Sequence, residues 1–545
     1  MTAAGGGTGA DATGVTRAAA GMGVATAASR FIGFARILVI AAVLGTTFLG
    51  NAYQSSNAVS NVLFELLAAG ALSAVLVPTF VELLDRDDQP EAERLAGRLL
   101  GVALVVLGVV AIIGILAAPL IADVLTTGVS DPKIAEQQRD LSTFLLRFTV
   151  PQVLLYAIGA VSVAVLYAKR KLAVTAMAPI GLTVVVVVAM GLFRVVAGPD
   201  PGLELSTGER LILALGATLG VAAFVGIPTI ALHRTGFRLR PRLARHHDEA
   251  VREVLGRSGW AVFQHSMIGM LLLAAIIVGN TVEGGTLAYQ VAWVFFLAPY
   301  AVLAQPIHTA ILPDLTRQAK DPDHFASSLR WALDSMAVLI VPVAGMLVAL
   351  ALPIMQVAAF GQATKAGGVG LLAMALATLA IGLYTYSAFL LFARAYYALG
   401  DSRTPALVAI LSAVAGIGVM VAGGVLTSGR TTVAFLGLGH SVAYAVGALV
   451  LWIGLARRTG HLIVPASLGR SIAVTAPLAV GAWALVRVID PAGRLATALL
   501  VVGIVLVGGV IYVAALRAIG GAPSLHPKPP SAPSAVDVPP YGAPA

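Results

Sequence analysis

Apolar stretches long enough to cross roughly 30 Å of hydrocarbon follow one another almost without interruption, and no other feature restricts the fold of this chain as tightly. They fall at about 20–46, 52–82, 97–124, 140–167, 172–197, 210–233, 258–280, 286–313, 328–357, 368–398, 405–427, 431–456, 468–488 and 493–517. With 58% hydrophobic and only 11% charged residues among 545, the apolar side chains exceed what one or two water-soluble cores can bury, so the surrounding solvent is lipid. The expected class is an all-α polytopic membrane protein of about fourteen transmembrane helices.

Charge orients these spans. The formal net charge of +9 belongs to Lys and Arg scattered through short loops rather than gathered on one soluble domain, which argues against a nucleic-acid partner. Loops held in the cytoplasm carry the excess of Lys and Arg. A cytoplasmic N-terminus places Arg86, Arg94 and Arg98 inside, then Lys169, Arg170 and Lys171, then Arg234, Arg238, Arg240, Arg242 and Arg245. Arg317, Lys320, Arg403, Arg457 and Arg458 follow, and an even number of spans returns the C-terminus to the same side. The expected location is the cytoplasmic (inner) membrane, multi-pass, with both termini cytoplasmic. The first apolar stretch holds two arginines and has no obvious cleavage site, so it is expected to remain as a helix.

Enzyme chemistry finds little to work with. There is no cysteine, hence no disulfide and no Cys-based nucleophile or metal site. The N-terminal GGGTG lacks a preceding strand and the P-loop lysine, His246-His247 sits in an arginine-rich loop, and no HExxH or nucleophile elbow occurs. The expectation is a protein that is not an enzyme, with no metal and no cofactor.

The chain echoes itself. AVLVPTFVELLDR from Ala74 resembles TAILPDLTRQAKD from Thr309, and VLYAKRKLAVTAMAPI from Val165 resembles AYYALGDSRTPALVAI from Ala395. The two pairs are separated by nearly the same interval, as expected if one six-helix unit was used twice, and the interface between such repeats commonly holds a transporter's substrate. The organisation expected is a flexible N-terminus at 1–19, a first lobe at 20–235, a second at 236–460 around a central cavity, an extra helix pair at 461–519 and a disordered Pro-rich tail at 520–545.

Polar side chains inside spans are the candidate site, because a charge near the bilayer centre costs roughly 2.5–3.5 kcal/mol even on the lenient scale. Arg30 and Arg36 lie in the first span, where guanidinium groups suit an anionic, phosphate-bearing substrate; snorkelling or pairing with Glu65 is the structural alternative. Gln54, Asn57, Asn61 and Glu65 form one stripe along the second span, either lining a cavity or bonding helices together. Glu65 is also a candidate for ion coupling. In the second half the intramembrane polar set is Gln264, His265, Gln290, Gln305 and His308, neutral at rest, with His265 a candidate proton relay. Arg147 is expected about two turns from the outer surface, within snorkelling reach.

SRFIGFARILVIAAVLG at 29–45, NAYQSSNAVSNVLFELLAAGALSAVLVPTFVE at 51–82 and YYALGDSRTPALVA at 396–409 together resemble the MurJ (MviN) family of lipid II flippases, within the multidrug/oligosaccharidyl-lipid/polysaccharide exporter superfamily. The resemblance spans the first twelve helices and is similar in composition to actinobacterial members. It implies export of undecaprenyl-pyrophosphate-linked peptidoglycan precursor by alternating access, driven by the membrane potential or an ion gradient. Arg30 and Arg36 would hold the pyrophosphate, and the pair at 461–519 would form a groove for the lipid tail. Three positions depart from the family pattern: Asn51 stands where an acid is common, and Phe64 and Val294 lie where cavity arginines are common. Less cationic charge is therefore expected in the cavity. The competing functions are export of another polyprenyl-linked glycan, a drug exporter, and a non-transporting scaffold for cell-wall synthesis proteins.

Overall fold

The computed structural model describes residues 32–64, 77–242 and 249–520. Among them every regular element is a helix, as lipid requires of a chain whose backbone groups must be satisfied within each segment. The first half begins with α1 (Ile32–Leu44), α2 (Phe48–Phe64) and α3 (Val77–Asp85). It continues with α4 (Gln89–Leu116), α5 (Ala118–Thr126), α6 (Pro132–Thr149), α7 (Gln152–Ala168), α8 (Leu172–Ala197) and α9 (Thr207–Arg234). The second half holds α10 (Glu249–Asn280), α11 (Gly285–Pro299), a π-helical turn at Tyr300–Ala304, α12 (Gln305–Arg317), α13 (Pro322–Ala349) and α14 (Ala351–Ala358). Then come α15 (Gly368–Ile381), α16 (Leu383–Ala398), α17 (Arg403–Leu426), α18 (Arg430–Thr459), α19 (Ala466–Ile489) and α20 (Arg494–Ala518).

Among the described residues ten helices are long and apolar enough to cross a membrane, and α15 with α16, bent by 45°, makes an eleventh. That number is compatible with the fourteen expected, since α1, α2 with α3, and α10 supply further apolar segments. Two boundaries differ from expectation. The span placed at 140–167 runs from Pro132 to Ala168, because Asp131 accepts hydrogen bonds from the Lys133 and Ile134 amides and starts the helix two turns early. Arg147 therefore lies about 22 Å along that span rather than two turns from its end. The span placed at 258 begins at Glu249.

The loops at 85–88, 169–171, 234–242, 318–321 and 399–402 share one end of the bundle, here the basic face, and those near 45, 128, 283, 365 and 429 the other, the far face. Both repeated segments end in the same turn at the basic face. After α7 the amides of Lys169, Arg170 and Lys171 bond to Val165, Tyr167 and Leu166, and after α16 those of Leu399, Gly400 and Asp401 bond to Ala395, Tyr397 and Tyr396. This is a helix stop with one left-handed residue, supplied by Gly400 (φ 76) in the second half and by Arg170 (φ 56) in the first.

Beyond α9 the chain is strapped across the first half. Phe237 is fully buried, the Arg238 amide donates to Glu93 Oε1 (2.9 Å) and the Arg242 amide to the Gly97 carbonyl (2.8 Å). A Cβ at Gly97 or Gly101 would collide with the Arg240 or Arg242 carbonyl, so only glycine admits this approach. The side chains of Arg238, Arg240 and Arg242 stay exposed.

α19 and α20 pack against α13 and α14 and leave Leu495, Leu499, Leu506 and Val510 exposed, as side chains facing lipid would be. Tyr512 donates to the Val338 carbonyl (3.0 Å), tying α20 to α13.

Candidate functional site

In the first half, α1 brings Arg36 against α2 and α7. Its guanidinium is within electrostatic range of the Tyr53 and Tyr156 hydroxyls, and its Nε is buried without a hydrogen-bond partner. No carboxylate pairs with it among the described residues. Tyr156 donates to Asn61 Oδ1 (2.8 Å). Asn57 Nδ2 donates to the Tyr53 carbonyl of its own helix (2.8 Å), so its amide is satisfied locally. Along the stripe expected on α2, Gln54 is buried, Asn57 half-buried and Asn61 exposed. The exposure rises away from the far face, so the polar surface opens toward the basic side. Arg30 and Glu65 lie outside the described residues, as does the side chain of His265, which sits on α10.

The far face is sealed where the halves meet. Asn51 on α2 donates to the Val282 carbonyl (2.8 Å) and accepts from the Thr286 (3.1 Å) and Leu287 (3.3 Å) amides, capping the start of α11. Ser55 donates to Asn280 Oδ1 (3.0 Å), and Asn280 Nδ2 to the Leu125 carbonyl (2.8 Å). Gly284 (φ 71) lies so close to Thr46 that no side chain fits between them, and a Cβ on Gly361 would meet the Ala42 carbonyl at 2.5 Å. An amide at position 51 does here what a carboxylate cannot, donating on one side while accepting on the other.

The second half is not neutral, contrary to the sequence expectation. Arg394 on α16 is half-buried, and its charge bears on the His308 ring of α12 and on Tyr397. Tyr397 donates to Gln264 Oε1 on α10. His308 is fully buried, with Nε2 on Met336 Sδ (3.2 Å) and its ring edge-on to Tyr300. Nearby the core is aromatic: Tyr289, Trp293 and Tyr444 surround His440, whose Nε2 is 2.6 Å from the Tyr289 hydroxyl, and Phe296 and Tyr386 pack on those rings. Gln290 and Gln305 are half-buried.

At the basic face, the YALGDSRTP motif proves to be a joint. Asp401 accepts from the Thr404 amide (2.9 Å) and hydroxyl (2.6 Å) at the start of α17, and pairs with Arg458 (2.5 Å), which lies over the Tyr396 ring. Partial burial pushes the Asp401 carboxyl up, but the bonds from Thr404 and Arg458 outweigh it and hold the group below the ordinary carboxylate value. Arg403 lies over the Trp260 ring.

Comparison with known proteins matches this architecture. The family model described as lipid II flippase MurJ matches residues 40–504. A probable lipid II flippase MurJ of Rhizobium tropici is 26% identical over 460 residues, 83% of each chain. That of Haemophilus influenzae is 25% identical over 412 residues, 72% of this chain and 78% of the relative. A solved lipid II flippase MurJ in an inward closed conformation superposes with a TM-score of 0.70 at 18% identity, covering 91% of this chain and 99% of that one. An inward-facing multidrug transporter of the MATE family gives 0.62 at 13% identity, over 79% and 94%. The two-halved helical bundle and a family match over most of its length establish that this chain belongs to the lipid II flippase MurJ family.

Proposed function

We propose that this protein translocates lipid II, the polyprenyl-pyrophosphate-linked peptidoglycan precursor, across the cytoplasmic membrane by alternating access. The observation that carries the reading is Arg36: an intramembrane guanidinium with a buried, unpartnered Nε, flanked by Tyr53 and Tyr156, below a sealed far face. A cation held there with no carboxylate partner among the described residues fits an anionic ligand, and a guanidinium fits pyrophosphate with two parallel hydrogen bonds. The basic face is the cytoplasmic one, since it gathers the arginine-rich loops. Substrate enters from that side, Arg30 joins Arg36 at the pyrophosphate, Asn57 and Asn61 line the path, and the α19–α20 pair accompanies the lipid tail. Glu65 and His265 are the groups through which an ion gradient or the membrane potential couples to transport. The protein works as a carrier, without a cofactor and without bond chemistry.

The test is rescue of a strain depleted of its own lipid II flippase by the wild type and by Arg36→Ala at matched membrane levels. Rescue by the wild type alone supports the assignment. Rescue by both removes Arg36 from the mechanism, and accumulation of untransported lipid II with a well-inserted wild type favours a different polyprenyl-linked glycan or a scaffold role.

A further inference from the structure

An intramembrane arginine without a counter-charge needs an explanation, and the second half contains one in Arg394. No carboxylate pairs with it among the described residues. The nearest acid along the chain, Asp401, is already engaged by Thr404 and Arg458. Arg394 is half-buried, so it does not simply extend into water at the basic face. Arg394 precedes the last turn of α16, and side chains on a helix lean toward its N-terminus, here away from the basic face. The Arg394 charge bears on His308, which lies about 13 Å from the basic end of α12. The surroundings are polar and partly open: Tyr397, on the same face of α16, is 38% exposed and hydrogen-bonded to Gln264. Gln264 belongs to α10, which is one of the second-half helices packed against α2 of the first half.

We propose that Arg394, with Tyr397 and Gln264 beside it, is a second anion-binding site, on the lobe opposite Arg36, which receives the substrate's pyrophosphate near the basic-face entrance. The proposal rests on the transport reading above. Arg394 is a capture contact and Arg36 the deeper holding contact, so loss of Arg394 weakens uptake more than turnover. The Tyr397 hydroxyl donates to Gln264 Oε1 and orients that amide, whose nitrogen is the neutral donor that holds the anion without adding charge, which keeps the site weak enough to release it.

The experiment uses the full chain in nanodiscs, with a fluorescent lipid II analogue of shortened polyprenyl tail as the binding probe and the same protein in proteoliposomes for transport. An uncharged polyprenol bearing the same fluorophore controls for tail binding. We expect Arg394→Gln to raise the analogue's Kd and the half-saturating concentration about tenfold, the loss of roughly one charged hydrogen bond. The maximal rate should stay within about twofold and Arg394→Lys should recover most of the affinity. Binding of the uncharged control should not change. Unchanged affinity in Arg394→Gln overturns the proposal, as does an equal loss for the uncharged lipid, which would mark a structural role. Failure of the wild type to transport while still binding in an Arg394-dependent way rejects the transport reading alone. Failure of the wild type to bind rejects both.

Discussion

The two halves share a turn, a helix order and, in Arg36 and Arg394, a partly buried arginine with no carboxylate partner among the described residues, yet they surround that arginine differently. In the first half Arg36 sits among Tyr53, Tyr156 and the asparagines of α2, a polar surface that becomes more exposed toward the basic face. In the second half Arg394 stands at the edge of a closed aromatic core built around His440. One copy of the repeat keeps polar side chains in its interior while the other has filled its own with rings, which pack at high density. The lesson is that repeat symmetry of the backbone does not carry over to the chemistry inside it.

The largest effect that would test this difference is at Arg36. Arg36→Ala removes two charge-assisted bonds to a pyrophosphate, roughly 3–6 kcal/mol together, and transport should fall by at least about a hundredfold in the proteoliposome assay. A larger loss from Arg394→Gln would invert the assignment of holding and capture sites. Next comes the seal between the halves. Asn51→Ala removes three hydrogen bonds, about 2–4 kcal/mol, and should shift the protein toward conformations open at the far face. Because the chain has no cysteine, labelling of Thr281→Cys from the far face reports this cleanly, and an unchanged rate would assign closure to the Gly284–Thr46 contact instead.

The shared turn gives a smaller, paired test. Gly400→Ala has open space for its Cβ and suffers only the left-handed backbone, about 1 kcal/mol of lost stability, whereas Arg170→Gly relieves the same strain and should be neutral or slightly stabilising. Thermal unfolding of the two variants with opposite signs would sustain the equivalence of the turns. Smallest is the titration of Asp401. Its carboxyl is held below its ordinary value, so its stabilisation is present above that value and disappears as pH falls through the lowered one. The wild type should lose its small advantage over Asp401→Asn below about pH 4, read as converging melting temperatures.

Much of this was legible in the amino-acid string because lipid imposes length and apolarity on every span, and because Pro, Gly and Asp mark where spans stop. Arg36 stood out for the same reason, as a charge deep inside an apolar run. Arg394 did not, although the span read at 368–398 contains it, since FLLFARAYYALGD runs directly into a basic loop. What singles it out is its half-burial and the bearing of its charge on His308, from a span far away in sequence. Asn51 was legible only as a missing acid, and its partners Val282, Thr286 and Leu287 come from the other half. The break at Pro151 and the bend at Gly382 were equally invisible to hydropathy, which counts apolar length and not direction.

The strap after α9 sets a mechanical limit. Its backbone is fastened to α4 by the bond from Arg242 to Gly97, and Glu249, the first described residue of α10, follows seven peptide steps later in the chain. A fully extended leash of that length reaches about 25 Å. However far the halves swing apart on the basic side, the first turn of α10 stays within that radius of its anchor on α4.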